Sequence, residues 1–266
     1  MPNLFQDKVA LVTGGGGSIG HATALAYVRE GARVVIADVA GGEATVEKIR
    51  AAGGEALYVK TDISKAGDVE ILVRTIIERF GRLDFAFNNA GIRGKWARSA
   101  EISEENWDRI IQVNLKGVWL SMKYEIPEML KRGGGTIVNM ASVLGLSGAG
   151  KLSAYSASKH GIVALTKTAA LEYSEKGIRI NAVCPGYVDT HLLQGNVKNT
   201  GGFKGWVKKI KKEMLYTLLK KLEPAGRFGK PDEVASAVIW LSSQASSPVT
   251  GQALVIDGGH LAGRTI

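Results

Sequence analysis

Short β-branched or apolar runs alternate with longer helix-periodic stretches along this chain, and few architectures accept that order. The runs fall at residues 8–12, 33–37, 56–60, 84–87, 136–139, 179–183 and 254–256, most of them beside Gly, Asp or Asn, as buried strands do. Between them, residues 22–30 and 69–80 carry apolar side chains at three-and-four spacing. In the second stretch Val69, Leu72, Val73, Ile76, Ile77 and Phe80 share one face, and Gly31 and Gly81 follow the two stretches as stop signals. Strand then helix, six times over, predicts an α/β fold: a doubly wound parallel sheet of about seven strands with helices on both faces. The 266 residues are enough for one large domain or two small ones, but no linker, repeat or low-complexity tract divides them. A single domain over 1–266 is expected.

Composition removes several function classes. With 45% hydrophobic and 22% charged residues the chain resembles an ordinary globular protein. The lone Cys184 excludes a disulfide framework or a cysteine-rich zinc site, and its place before Pro185 reads as a small buried residue rather than a nucleophile. His21, His160, His191 and His260 lack ligand spacing, so no metal is expected. Tyr173, Trp107 and Trp240 fall in helical patterns and are expected in the core or at an interface. No apolar run of about 18 residues predicts a membrane span. Residues 1–7 lack the apolar core of a signal peptide, so a cytoplasmic location is expected.

The net charge of +9 is a local property. Between Gln194 and Pro224 stand eight lysines (Lys198, Lys204, Lys208, Lys209, Lys211, Lys212, Lys220 and Lys221) against Glu213 and Glu223, which is +6 in one segment. There Val207, Ile210, Met214, Leu215, Leu218 and Leu222 recur on one helical face. The segment at about 190–224 therefore reads as a helical lid inserted before the last helix. Its lysines form a solvated face or recruit an anionic substrate; a nucleic-acid surface is the weakest reading.

After the first strand comes Thr13-Gly14-Gly15-Gly16-Gly17-Ser18-Ile19-Gly20, opening straight into a helix, with Asp38 closing the second strand. Glycines let backbone amides approach a phosphate, and the helix start adds free N–H groups and its positive dipole end. An acid about 20 residues on accepts hydrogen bonds from an adenosine ribose and repels a 2′-phosphate. This is a Rossmann-type dinucleotide site, with NAD expected over NADP because no Arg or Lys adjoins Asp38. Further along, Tyr155 and Lys159 stand one helical turn apart. Ser142 lies just beyond the strand at 136–139, at its carboxyl end, where an open α/β sheet binds ligands.

With these residues in place, the chain resembles the short-chain dehydrogenase/reductase family in its compact single-domain branch, from about Lys8 to Gly259. The resemblance is carried by 13–20, Asp62, Asn88-Asn89-Ala90-Gly91, Asn114, Ser142, Tyr155, Lys159, Pro185-Gly186 and Thr190. It implies Tyr155 as general acid/base and Ser142 as hydrogen-bond donor to the same substrate oxygen. Lys159 would hold the nicotinamide ribose and lower the tyrosine pKa, and Asn114 would hold a relay water. For the cofactor it implies Gly14, Gly17, Ser18, Ile19 and Gly20 at the pyrophosphate, and Asp62 with Ile63 at the adenine. Asn89, Ala90 and Gly91 would form the floor, with Pro185, Gly186, Val188 and Thr190 at the nicotinamide. Ser18 departs from the family pattern, which has glycine there; its Cβ crowds the pyrophosphate or its hydroxyl donates to it. The family also implies a homo-oligomer, a tetramer or a dimer.

The expected activity is NAD-dependent oxidation of a secondary alcohol, reversible with the ketone. The pocket candidates Arg93, Trp96, Leu144, Tyr187, Leu192, Leu193 and Trp206 are mostly large and apolar, which suits a cyclic or bulky hydrophobic alcohol. Arg93 or a lid lysine would instead suit a carboxylate or phosphate. The alternatives are a carrier-linked 3-oxoacyl reductase and a non-catalytic cofactor- or nucleic-acid-binding module.

Overall fold

The computed structural model describes residues 3–190 and 223–263. Strand β1 (Val9–Thr13) is buried along its whole length, as a charge-free Val-Ala-Leu-Val-Thr run must be. Val9 and Leu11 face one side of the sheet while Ala10 and Val12 face the other. Beside it lie β2 (Arg33–Asp38), β3 (Ala56–Lys60), β4 (Phe85–Asn88), β5 (Gly135–Met140), β6 (Ile178–Pro185) and β7 (Ala253–Ile256). All pairs are parallel, and the order is β3-β2-β1-β4-β5-β6-β7.

The expected helices cover both faces. On one, α3 (Ala66–Phe80), α5 (Gly117–Leu130) and α6 (Ser153–Tyr173) bury Leu72, Ile76, Met122, Met129 and Ile162 against the sheet. On the other lie α1 (Ser18–Arg29), α2 (Gly42–Ala51) and α7 (Pro231–Ser242), burying Tyr27, Ile49 and Val238. A shorter helix, α4 (Glu104–Ile110), starts where the Ser103 hydroxyl accepts the Asn106 amide at 3.3 Å. Gly81 closes α3 in the left-handed region (φ 71°), with its N–H returned to the Ile77 carbonyl.

Several boundaries differ from the sequence reading. Helix α1 begins at Ser18, four residues before its apolar periodicity, because the glycine turn delivers the chain already in helical register. Strand β6 runs on through Pro185, which stands opposite Ile256 of β7, and the next amide, that of Gly186, donates to the Ile256 carbonyl at 3.0 Å. Trp107 and Trp240, expected in core or interface, are 38% and 41% exposed, so they are not core; Tyr173 packs partly buried against it. Cys184 is fully buried, as expected. The proposed lid, with Leu192, Leu193 and Trp206, lies outside the described residues. Its roots are described: the Tyr187 carbonyl accepts the Gly229 amide, whose carbonyl accepts the Asp189 amide, both at 2.9 Å. The chain thus leaves and rejoins the fold at one point. Among the described residues, no helix is long and apolar enough to cross a membrane.

Candidate active site

The order of strands reverses direction between β1 and β4, which opens a crevice at their carboxyl ends. Thr13 ties its two walls together. Its hydroxyl accepts the amides of Asn89 (3.0 Å) and Ala90 (3.1 Å), while Asn89 Nδ2 donates to the carbonyls of Thr13 (2.9 Å) and Gly14 (3.1 Å). Gly14 sits at φ 64°, where a Cβ would also lie 2.8 Å from the Ala90 Cα. A Cβ on Gly20 would collide with the Gly14 carbonyl oxygen, so only glycine lets α1 start this close to the turn. Gly17 is the residue before the first helical one, Ser18 is the first residue of α1, and Ser18 and Ile19 are half-buried. Asp38 closes β2 beside the same turn; its carboxylate accepts the Gly16 amide at 3.0 Å and the Ala40 amide at 3.3 Å.

This cradle fits a dinucleotide: Gly14 and Gly20 where a Cβ would clash, a helix start without a side-chain cap and an acid at the end of β2. Asp62 lies at the end of β3, accepting the Ser64 hydroxyl (2.7 Å) and amide (3.1 Å); with Lys65 nearby, these hold its carboxyl below the usual range despite partial burial. Ile63 is buried against Leu120 and Val69. Pro185 and Val188 are buried, and Gly186 and Thr190 half-buried, at the end of β6.

Ser142, Tyr155, Lys159 and Asn114 converge. The Ser142 hydroxyl accepts the Leu144 amide at 3.2 Å and lies near enough to the Tyr155 hydroxyl to lower its pKa. The turn that carries Ser142 packs directly on α6: a Cβ on Gly145 would lie 2.7 Å from the Lys159 carbonyl. Lys159 is buried, donates to the Met140 carbonyl at 2.6 Å, and lies 5.6 Å from the centre of the Tyr155 ring. Burial pushes its ammonium down to about 8. Burial pushes the Tyr155 hydroxyl up, and the Ser142 hydrogen bond and the Arg93 charge pull it part of the way back. Arg93 thus adds a cation acting on this hydroxyl that the sequence reading did not assign to it.

Asn114 is buried in a widened turn, a π-helix over Ile111–Lys116 that continues into α5. Its Nδ2 donates to the Ile92 carbonyl (2.8 Å) and to Ser158 Oγ (3.1 Å), and its Oδ1 accepts the Ile92 amide (2.8 Å). Both amide hydrogens are committed to protein, so a relay through Asn114 does not run through its side-chain N–H. Ser158 in turn donates to the Tyr155 carbonyl at 2.7 Å, linking Asn114 to the first turn of α6. The sequence reading missed Ser158, although it lies between Tyr155 and Lys159.

A family profile described as enoyl-(acyl carrier protein) reductase matches residues 15–260. A cyclohexanol dehydrogenase of Acinetobacter sp. (strain SE19) is 43% identical over 98% of this chain and 97% of its own. The chain is a short-chain dehydrogenase/reductase. The crystal structure of levodione reductase superposes with a TM-score of 0.91 at 36% identity, over 98% of this chain and all of the other. The structure of a putative 2-deoxy-D-gluconate 3-dehydrogenase from Agrobacterium tumefaciens, with bound NADP, gives 0.83 at 33% identity, over 98% of this chain and 99% of the other. As a member of this family the protein is a nicotinamide-dependent oxidoreductase acting on alcohol or ketone groups.

Of the pocket residues expected in this short-chain dehydrogenase/reductase, Arg93, Leu144 and Tyr187 are half-buried, and Trp96 is 54% exposed with the Arg93 guanidinium 5.4 Å from its ring centre. Tyr187 packs against Phe228 and His260, at centroid distances of 6.0 and 5.9 Å. Cys184 is no nucleophile: burial pushes its thiol up to about 11.

Proposed function

We propose that the protein is an NAD(H)-dependent dehydrogenase of cyclic secondary alcohols, one cofactor-binding and catalytic domain with a substrate lid at 190–224. The convergence of Ser142, Tyr155 and Lys159 at the carboxyl ends of β5 and α6's first turns carries this reading. A nicotinamide cofactor, held by the glycine turn at 14–20 and Asp38, would supply the acceptor for the carbinol hydride in oxidation and its donor in reduction. In oxidation Tyr155, as phenolate, takes the carbinol proton, and in reduction the phenol returns it. Ser142 donates to the same oxygen and stabilises charge developing there. Lys159 supplies a buried positive charge beside the tyrosine ring and a donor for a ribose hydroxyl. Asn114 positions the Ile92 backbone and, through Ser158, the catalytic turn. Asp38 supports NAD: its carboxylate would accept a ribose 2′-hydroxyl and repel a phosphate there. Cyclohexanol as the substrate of a 43%-identical relative supports a cyclic alcohol, as do the large side chains at Trp96, Leu144 and Tyr187.

An apolar groove formed by Ile111, Leu115, Trp119, Ala164 and Leu165 supports a homo-oligomer joined through α5 and α6. The test is NADH formation at 340 nm over cyclic, aromatic, steroidal and sugar alcohols, with NADP⁺ in parallel. NAD⁺-dependent turnover of cyclic alcohols is expected, and Tyr155→Phe is expected to lower kcat by about 10²–10⁴-fold. The profile's carrier-protein description favours the second reading, a carrier-linked reductase; preference for NADPH with acyl thioesters would establish it instead.

A further inference from the structure

We propose that Arg93 is the specificity residue of this site, binding a carboxylate on the substrate ring while Ser142 and Tyr155 engage the carbinol. This rests on the dehydrogenase reading and names its substrate class: cyclic hydroxy acids. Arg93 lies on a strap that leaves the end of β4 and is pinned on both sides of the arginine. Ile92 is clamped by both polar ends of Asn114, at 2.8 Å each. Two residues beyond Arg93, the Lys95 amide donates to Asn106 Oδ1 at 3.3 Å. Between them Gly94 turns at φ 76°, so close to α4 that a Cβ would strike Ile110. The strap ends at Ala97, whose amide donates to the Lys151 carbonyl at 3.2 Å, and Ala97 pairs with Leu152 just before α6. It thus runs from the Asn114 wall past Lys159, whose Nζ would lie 3.8 Å from a Cβ on Gly91, to the helix that carries Tyr155, and brings the Arg93 charge within reach of the Tyr155 hydroxyl.

The arginine is unspent. Its guanidinium lies 5.4 Å from the Trp96 ring centre, within cation–π range, which leaves its hydrogen-bonding edge for another group. Its Nε is buried without a hydrogen-bond partner, and no ion pair is formed by Arg93 among the described residues. A buried donor of this kind costs free energy unless something accepts from it. A carboxylate matches the fork with two parallel hydrogen bonds and neutralises the charge.

Two measurements test this. Cyclohexanecarboxylate, which has no carbinol to react, is titrated calorimetrically into the enzyme–NADH complex. Binding is expected, and Arg93→Gln should weaken it by about tenfold or more, the size of one charge-assisted hydrogen bond, with Arg93→Lys recovering part. Wild-type enzyme that does not bind it, or binds it as Arg93→Gln does, would overturn the proposal whether or not any alcohol is turned over. In the second, kcat and KM are compared for ring-position isomers of hydroxycyclohexanecarboxylate and for cyclohexanol. The preferred hydroxy acid should lose about tenfold more kcat/KM than cyclohexanol in Arg93→Gln, mainly through KM. Equal losses for both would make Arg93 a positioning residue of Tyr155 and sink the specificity role. Failure of the cyclic-alcohol reading itself would appear separately, as no turnover of either substrate.

Discussion

At the scale of single residues, the cofactor turn separates glycines that geometry demands from those it merely permits. A Cβ on Gly20 would meet the Gly14 carbonyl and lie 2.9 Å from Asn89 Nδ2, whereas one on Gly17 would meet only the Gly14 carbonyl at 3.3 Å. Gly20→Ala should therefore destabilise the fold by about 1–3 kcal/mol, the usual cost of overpacking. It should also weaken NADH binding more than Gly17→Ala does; urea denaturation and NADH fluorescence titration would check both. If Gly17→Ala is the more damaging, phosphate approach rather than helix entry sets the glycine requirement. The glycine cluster was legible in the sequence because a positive φ and a close approach demand one residue type. What each glycine avoids was not, because Asn89 is brought to Gly20 only by the pairing of β1 with β4.

Among the elements, α5 holds the least expected group. Glu125 is fully buried beneath the sheet, where Asn88 Nδ2 donates to its Oε2 at 3.1 Å and to Asn139 Oδ1 at 3.1 Å; Asn139 Nδ2 donates on to Thr166 Oγ1 at 3.0 Å. Glu125 Oε1 and Asn88 Oδ1, both acceptors, lack a partner. A proton on the carboxyl gives this network a donor, and burial pushes Glu125 up to about 8. With the folded value raised above the unfolded one, the stability Glu125 contributes is complete below about pH 4.5. It declines as pH rises through the folded value, by at most about 1.4 kcal/mol per pH unit. Glu125→Gln, which keeps a donor at every pH, should remove that decline. Urea midpoints of both proteins at pH 5 and pH 8 would check it, and parallel falls in the two would show that Glu125 does not carry the proton. The site rests on this network, since Asn88 precedes the Asn89–Gly91 floor and Asn139 precedes the Met140 carbonyl that holds Lys159.

For the whole molecule, the surface of α5 and α6 bears on assembly. Trp119 is 42% exposed and lines the apolar groove with Leu115 and Leu165. If that groove joins two copies, Trp119→Glu should lower the mass measured by light scattering while far-ultraviolet circular dichroism is retained; an unchanged mass would place the contact elsewhere. The sequence by itself determined the elements of this protein, their alternation, the glycine turn and the Tyr155–Lys159 pair. Each of these is written in period, in φ or in one helical turn, and so in neighbouring residues. Tertiary structure alone decided the meeting of Asn114 with Ile92, the burial of Glu125 and the reach of the Arg93 charge to Tyr155. These depend on segments 22 or more residues apart that only the sheet brings together, and a charged side chain carries no local mark of the side it will face.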